Sequence, residues 1–334
     1  MIPFRRTAPI LLSALLAAAT LGGCSAASDD TAASTAASGW SYTDDTGATI
    51  TLDAAPSRIA GFTDQVLSLL SYGIEPVAIF GRVDVASDSR FDDYDISDAA
   101  IVGNSYGEID LEALAAAEPD LIVTGIYPTD REGTLDTEGP YYGVADVEQQ
   151  QQLEAIAPVV AIEIGGAGLD VVESNTALAE ALGAEADTVA AAKEEFEAAS
   201  EALSAAAAAN PGIEVTQMYA DADGIYVVKP ADEPETQLYQ TLGVTLTDLN
   251  PDGDYYWDVY SWENAAEMMT GDVLLPNTEG FQAAELAEQP TFADDPALLA
   301  DQVYEWQGAG LDYLSQAEQM TKLAEIIENA EDVV

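Results

Sequence analysis

The sequence predicts an α/β fold of two α/β lobes joined by a single long interdomain α-helix. A short helix precedes an apolar strand at 101–125, and the same plan returns at 261–275. In each copy a capping residue, an apolar residue and a glutamate begin the helix, and an aspartate begins the apolar run. Between the copies lies an Ala-rich helical stretch, 184–209. Two such units, connected by one long helix, predict two similar lobes.

The first lobe is predicted to span residues 40–165 as alternating strands and helices. Its strands are apolar runs without alternation, as in a sheet covered on both faces, at 59–62, 77–80, 121–123 and 159–164. Its helices are predicted at 64–72 and 147–157, and a shorter one begins after Asp110 and ends before Pro119. After Gly125 comes a loop of about twenty residues, a length that usually marks a functional or mobile segment.

Residues 166–211 are predicted to connect the lobes through two helices, 170–182 and 184–209. Val189, Phe196 and Leu203 repeat at intervals of seven, which favours one packed stripe over a disordered Ala-rich segment. The second lobe is predicted at 212–334. It contains a hairpin, a helix, the second helix–strand unit, a strand and a final helix, at 215–228, 234–242, 261–275, 302–306 and 312–329.

The chain begins with a predicted lipoprotein signal peptide, residues 1–23. Its apolar segment, 10–21, follows two arginines and is too short to span a bilayer. The segment ends in Leu21-Gly22-Gly23-Cys24, which resembles a lipobox, so Cys24 is the predicted lipidation site. An ordinary secretory cleavage beside a chance cysteine is the alternative. Residues 24–39 are predicted to form a flexible tether, which would hold a lipid-anchored protein at the extracytoplasmic face of the cell membrane.

The composition excludes several classes of function. The chain carries 61 acidic and nine basic side chains, two of them in the leader, and a net charge of -52. Nucleic acid is excluded as a partner because its backbone binds clustered Lys and Arg. The chain has no histidine, which excludes Ser-His-Asp triads and histidine-ligated zinc sites. A glycoside hydrolase that uses two carboxylates stays open.

From about Tyr42 to its end, the chain resembles the siderophore-type family of substrate-binding lipoproteins that serve ABC importers. No single motif decides this, but the order and spacing of the motifs are specific. The motifs are Asp45-Thr46-Gly47, Pro56-Ser57-Arg58-Ile59, Leu70-Ser71-Tyr72-Gly73-Ile74-Glu75-Pro76-Val77, Val102-Gly103, Leu111-Glu112, Glu118-Pro119-Asp120-Leu121-Ile122 and Ser261-Trp262-Glu263-Asn264. The resemblance implies a non-enzymatic binding protein for a ferric siderophore, with an ABC permease dimer as its partner. No cofactor is expected, since iron would arrive only within the siderophore.

The resemblance places the ligand between the lobes, at loops that follow strand ends. Open α/β sheets bind ligands at the same place. Arginines there would donate hydrogen bonds to iron-bound oxygens, and aromatic rings would cover the apolar shell of the ligand, although each aromatic could instead serve ordinary packing. The candidate ligand-binding residues are Arg82, Tyr106, Tyr127, Arg131, Tyr256 and Trp257.

A ferric hydroxamate is the favoured ligand. With so few basic residues, a trianionic ferric catecholate would meet a repulsive field, whereas a neutral or cationic ferric hydroxamate is compatible with it. One departure concerns Asn104 and Ser105, which stand where the ferric hydroxamate binders of this family carry an arginine. Family members that hold bare zinc or manganese rely on histidines, so that branch is excluded. Haem and cobalamin remain alternatives, and the surface-anchored glycoside hydrolase is the alternative from another class.

Glu112 and Glu263 occupy corresponding positions in the two copies of the helix–strand unit. A carboxylate in the first turn of a helix meets the positive end of the helix dipole, and this alone could explain both residues. The resemblance implies a sharper role. Members of the family use one glutamate in each lobe to dock onto arginines of the two permease subunits, and Glu112 and Glu263 match those positions.

Overall fold

The structure is a computed structural model that describes residues 39–308 and 310–334. The predicted signal peptide, the lipidation site Cys24 and the tether through residue 38 lie outside these ranges. No helix within them has the length and apolar character needed to cross a membrane. The first element of the described residues is an antiparallel hairpin of β1 (Trp40–Thr43) and β2 (Thr49–Leu52), at the position where the sequence predicts the folded part to begin.

The first lobe is built on a five-stranded parallel sheet. Its strands are β3 (Ile59–Phe62), β4 (Pro76–Gly81), β5 (Ala100–Asn104), β6 (Leu121–Ile126) and β7 (Val159–Glu163), in the order β5-β4-β3-β6-β7. The helices of this part of the chain, including the connection to the next sheet, are α1 (Thr63–Leu70), α2 (Leu111–Ala116), α3 (Val147–Ile156), α4 (Gly168–Ala181) and α5 (Ala186–Ala209). Every residue of β3 and β6 is buried, as the uninterrupted apolar runs predict.

The second lobe is built on a mixed five-stranded sheet. Its strands are β8 (Glu214–Ala220), β9 (Ile225–Val228), β10 (Thr245–Leu246), β11 (Trp257–Tyr260) and β12 (Val273–Pro276). On one side, β8 pairs in parallel with β12. On its other side, β8 pairs in parallel with β10 and antiparallel with β9. Strand β11 pairs antiparallel with β9. The helices are α6 (Pro234–Thr241), α7 (Ala283–Ala287), α8 (Pro296–Leu299) and α9 (Tyr313–Asn329). The predicted α/β fold class and the β8–β9 hairpin are confirmed.

The long helix α5 runs for 24 residues and packs along α9. At a rise of 1.5 Å per residue it measures about 36 Å. Its buried residues recur every three or four positions, and Val189, Phe196 and Leu203 are all among them. The aromatic rings of Phe196 and Tyr313 meet with their centroids 5.2 Å apart. The seven-residue repeat therefore marks a packed stripe, and the prediction of an ordered rod is confirmed.

Two predicted elements of the second lobe take another form in the structure, and the strands β10 and β11 have no counterpart in the prediction. The helix of the second helix–strand unit is a 3-10 helix, Trp262–Glu267, rather than an α-helix. The side chain of Ser261 makes no capping hydrogen bond. The indole Nε1 of Trp262 donates a hydrogen bond to the Asp221 carbonyl, outside the helix, at 3.0 Å. The stretch predicted as a strand at 302–306 does not form a regular strand. It lies parallel to β12 and the residue after it, and pairs in two isolated bridges, Leu274 with Val303 and Asn277 with Trp306.

Candidate ligand-binding site

A cavity of ≈ 380 Å³ lies where the carboxyl ends of the two sheets meet. From the first lobe, Asp64 follows β3, Arg82 follows β4 and Tyr127 follows β6. From the second lobe, Asn277 and Glu279 follow β12. Loops that leave parallel strands at one edge bring residues distant in sequence together, and this edge is where open sheets bind ligands. The cavity is therefore the candidate ligand-binding site.

A row of aromatic rings crosses the cavity from one lobe to the other. The ring of Tyr142 lies 4.6 Å from that of Tyr127, and Tyr127 in turn lies 6.1 Å from Tyr256 of the second lobe. Trp257 continues the row, 5.2 Å from Tyr256. Burial raises the pKa of Tyr127 and Tyr256 well above the ordinary value, and that of Tyr142 to about 12. These phenols are therefore neutral and offer apolar faces together with hydroxyl groups.

Tyr142 enters this row because of the glycine that follows it. Gly143 has a φ of +84°, which L side chains rarely adopt, and a Cβ there would overlap the ring of Phe62. The backbone of Tyr142 is tied to β6, since its N–H donates to the Gly125 carbonyl at 2.8 Å. The predicted long loop after β6 thus folds back over the sheet edge and contributes a ring to the cavity.

Tyr256 has a strained backbone. Its φ of +73° is unusual for a residue other than glycine, and such strain persists only where the surroundings enforce it. Its N–H donates to Asp232 Oδ2 at 3.1 Å, and its carbonyl accepts from the Lys229 N–H at 3.0 Å. Asp232 is itself held by Arg131 of the first lobe, at 2.7 Å. Arg131 therefore fixes Tyr256 through Asp232.

Arg82 connects the two lobes at the cavity. Its guanidinium lies 2.8 Å from Asp64 of the first lobe and 2.8 Å from Glu279 of the second. Burial works against its charge, but Asp64 and Glu279 hold the pKa of Arg82 well above its ordinary value. Burial alone would raise the pKa of Asp64, but Arg82 and Arg90 lower it. The pairs stay ionised, and Arg90 adds a hydrogen bond to the Gly308 carbonyl of the second lobe at 3.4 Å.

Two buried glutamates line the second-lobe side of the cavity at the start of α6. Glu233 is 6% exposed and accepts hydrogen bonds on Oε2 from the Thr236 N–H at 2.7 Å and the Thr236 hydroxyl at 3.0 Å. Glu235 is 3% exposed and accepts from Trp306 Nε1 at 2.6 Å and Gln316 Nε2 at 3.1 Å. Burial and then the charge of Glu235 raise the pKa of Glu233 to about 7, and burial also raises the pKa of Glu235.

The structure brings together four of the six candidate ligand-binding residues. Arg82, Tyr127, Tyr256 and Trp257 line the cavity, and their contact with a ligand stays a prediction. Tyr106 is 50% exposed and reaches the row of rings through Tyr142, 5.3 Å away.

Arg131 and Asn104 serve the fold instead of lining the cavity. Arg131 lies outside the cavity, where its ion pair with Asp232 occupies the guanidinium. Asn104 Oδ1 accepts from the Val85 N–H at 3.0 Å. The amide that stands at the position of the absent arginine is thus used structurally.

Sequence reasoning missed several cavity residues, and four of them are acids. Any of 61 acidic residues could line a site, so Asp64, Glu233, Glu235 and Glu279 carried no distinguishing signal. Tyr142 did carry one, because a tyrosine followed by glycine in an unusually long loop indicates a backbone turn that aims a ring.

The two predicted docking residues are exposed, one in each lobe. Glu112 lies in the first turn of α2, where its N–H donates to the Asp110 side chain at 3.1 Å. Glu263 lies in the first turn of the 3-10 helix that follows β11. Neither carboxylate forms an ion pair within the described residues. Their carboxylates are therefore available to a partner.

Comparison with known proteins identifies related folds. The model of the periplasmic binding protein family matches residues 60–309. DesE, a ferric-siderophore receptor protein from Streptomyces coelicolor, has 29% identity and a TM-score of 0.78, over 88% of this chain and 100% of its own. The siderophore periplasmic binding protein from the fuscachelin gene cluster of Thermobifida fusca has 26% identity and a TM-score of 0.61, over 82% and 97%.

A more distant solved structure supports the fold alone. PiaA of Streptococcus pneumoniae, in complex with ferrichrome, has 17% identity and a TM-score of 0.54, over 87% of this chain and 99% of its own. No curated protein sequence matches the chain.

Within residues 39–308 and 310–334, no group of three or more Cys, His, Asp or Glu side chains is arranged to hold a metal ion.

The raised pKa of Glu233 predicts a pH-dependent stability. The folded protein keeps the proton up to a pH of about 7, whereas the unfolded chain releases it near 4.5. The contribution of Glu233 to the free energy of unfolding is therefore greatest at low pH, and it falls as the pH rises from about 4.5 to about 7. We expect Glu233→Gln to gain about 1–3 kcal/mol in unfolding free energy relative to the native protein between pH 5 and pH 8. Urea unfolding across this range measures the difference.

The exposed acid Glu132 provides the control for this measurement. The variant Glu132→Gln should follow the native protein at every pH, because an exposed carboxylate has a similar environment in both states. A Glu233→Gln curve parallel to the native curve would contradict the assignment.

Proposed function

The chain belongs to the periplasmic binding protein family, and we propose that it captures a ferric siderophore and delivers it to an ABC permease. A hydroxamate is the favoured class of siderophore. The protein is a binding protein and not an enzyme, so the carboxylates of the cleft serve recognition and structure. The observation that carries the proposal is the cavity between the lobes, in which a row of neutral aromatic rings meets a half-buried arginine, Arg82.

The cavity has chemistry suited to a ferric chelate. Such a chelate presents iron-bound oxygens on one part of its surface and apolar chain on the rest. The rings of Tyr127, Tyr142, Tyr256 and Trp257 offer faces to the apolar part, while phenol hydroxyl groups donate to the oxygens. Arg82 directs three of its five N–H groups to Asp64 and Glu279, which leaves two for a ligand. DesE, which aligns along 88% of this chain, is a ferric-siderophore receptor.

Charge favours a hydroxamate over a catecholate. A trianionic ferric catecholate would lie beside Asp64, Glu233, Glu235 and Glu279, with Arg82 already neutralised by two of them. A neutral or cationic ferric trihydroxamate avoids this repulsion, which is poorly screened inside a buried cavity.

Trp257 provides a direct test of the cavity. We expect a ferric trihydroxamate to quench tryptophan fluorescence, and Trp257→Ala to weaken its binding by ~1–3 kcal/mol, the range for a buried aromatic contact. The control is Trp262→Phe, because Trp262 stacks on Phe281 away from the cavity. That variant should keep the native affinity.

A titration panel of ferric trihydroxamate, ferric catecholate, haem and cobalamin separates the ligand classes. Tighter binding of any of the last three would contradict the hydroxamate assignment. Equal affinities in Trp257→Ala and the native protein would reduce Trp257 to packing.

We also propose that Cys24 is lipidated and anchors the protein outside the cytoplasm. The support is the lipobox and the apolar segment before it. The native protein should fractionate with membranes, and Cys24→Ala should fractionate with soluble proteins and lack acyl chains. Mass spectrometry of the mature amino terminus checks this, and an unmodified Cys24 in the membrane fraction would contradict it.

Permease docking is proposed for Glu112 and Glu263. One exposed carboxylate on each lobe suits a partner made of two subunits that present arginines, and rim charges of this kind set orientation and association rate. We expect Glu112→Arg with Glu263→Arg to abolish iron uptake in cells while siderophore affinity changes less than about threefold, as expected for charges outside the cavity. Glu132→Arg with Glu288→Arg, two exposed positions with the same change of charge, should take up iron normally. Normal uptake in the first variant would leave both glutamates as helix-end charges.

A further inference from the structure

The hydrogen bonds that hold Glu233 and Glu235 at the start of α6 do not require a negative charge on either side chain. Their hydrogen bonds come from neutral donors: Thr236 for Glu233, and Trp306 and Gln316 for Glu235. A glutamine carbonyl oxygen would accept the same bonds without a charge. The amino-terminal end of α6 favours a negative charge, but this accounts for only part of the cost of burying two carboxylates side by side.

No cation in the part of the chain that the structure describes is paired with these carboxyl groups. Among the described residues, neither Glu233 nor Glu235 takes part in an ion pair. The nearby cations are already paired: Arg82 with Asp64 and Glu279, Arg131 with Asp232, and Lys229 with Asp258 at 3.1 Å. The second-lobe side of the cavity therefore contains two buried carboxyl groups that have no cationic partner among the described residues.

A separate observation also points to a ligand that donates hydrogen bonds. Gln65, at the start of α1 in the first lobe, is 3% exposed and lines the same cavity. Its Oε1 has no hydrogen-bond partner among the residues that the structure describes. A buried acceptor without a donor is costly and rare. Two uncompensated carboxylates and one orphan carbonyl oxygen are complementary to a group that carries both positive charge and several N–H donors.

We infer that the part of the cavity lined by Glu233 and Glu235 binds a protonated primary amine carried by the ligand. This inference rests on the proposed function and narrows it to ferric chelates that end in an ammonium group. An ammonium has three donors and one positive charge, so it can contact both carboxylates. The row of rings from Tyr127 to Trp257 would then cover the chelate, and the favourable approach of a cation to aromatic faces adds to the same preference.

The test compares two ferric chelates that differ at one nitrogen. One is the ferric complex of the linear trihydroxamate desferrioxamine B, which ends in a primary amine, and the other is the same complex with that amine acetylated. We expect the native protein to bind the amine form roughly tenfold more tightly, as measured by tryptophan quenching. In Glu233→Gln with Glu235→Gln, the preference should fall below about twofold while the acetylated chelate still binds.

A charge-matched variant separates a local effect from the general acidity of the protein. Glu267→Gln with Glu288→Gln removes two exposed charges from the same lobe and should retain the full preference. Equal binding of both chelates by the native protein would overturn the amine subsite and leave the proposed function standing. A preference that survives in the variant Glu233→Gln with Glu235→Gln would have the same two consequences. Failure of the native protein to bind either chelate would overturn the hydroxamate proposal together with the subsite.

Discussion

The packing of α5 against α9 is the constraint on which the ligand cleft depends. The stripe of Val189, Phe196 and Leu203 on α5 faces an equally apolar stripe on α9, and small alanines between them allow the helices to approach closely. A wide opening of the lobes would have to expose this apolar surface, which is unfavourable. The packing therefore opposes a wide opening of the lobes, and it favours groups that are in place before a ligand arrives.

The cleft shows how such groups are held in place. Arg82 and Arg131 each cross from the first lobe to a carboxylate of the second, Glu279 and Asp232 respectively. The second of these pairs also fixes the strained backbone of Tyr256. An aromatic residue kept at positive φ by a hydrogen bond to a buried aspartate, Asp232, is better explained by a positioning role than by packing, since packing alone does not require the strain.

The sequence predicted the fold better than the site, for a physical reason. Apolar periodicity is local, so it identified most strands of both sheets and the long helix α5, but it missed the strands β5, β10 and β11. It also failed where a tertiary contact intervened, as with the 3-10 helix whose Trp262 side chain bonds to Asp221. The residues after strand ends could be predicted because topology alone brings them together, and Arg82 and Tyr127 do line the cavity. Glu233 and Glu235 could not be predicted, because what distinguishes them from other acids is their burial without a cationic partner, which only the structure shows.

The distribution of basic residues links the acidity of the chain to its ligand. Outside the leader there are seven basic residues, and four of them, Arg82, Arg90, Arg131 and Lys229, form ion pairs with acids at or near the cleft. A protein that recognised a strongly anionic chelate would keep such cations unpaired and aimed at the cavity. Here they neutralise its walls, and two further carboxylates remain without a cation. Positive charge at this site is therefore best supplied by the ligand, and a chelate with a cationic arm supplies it.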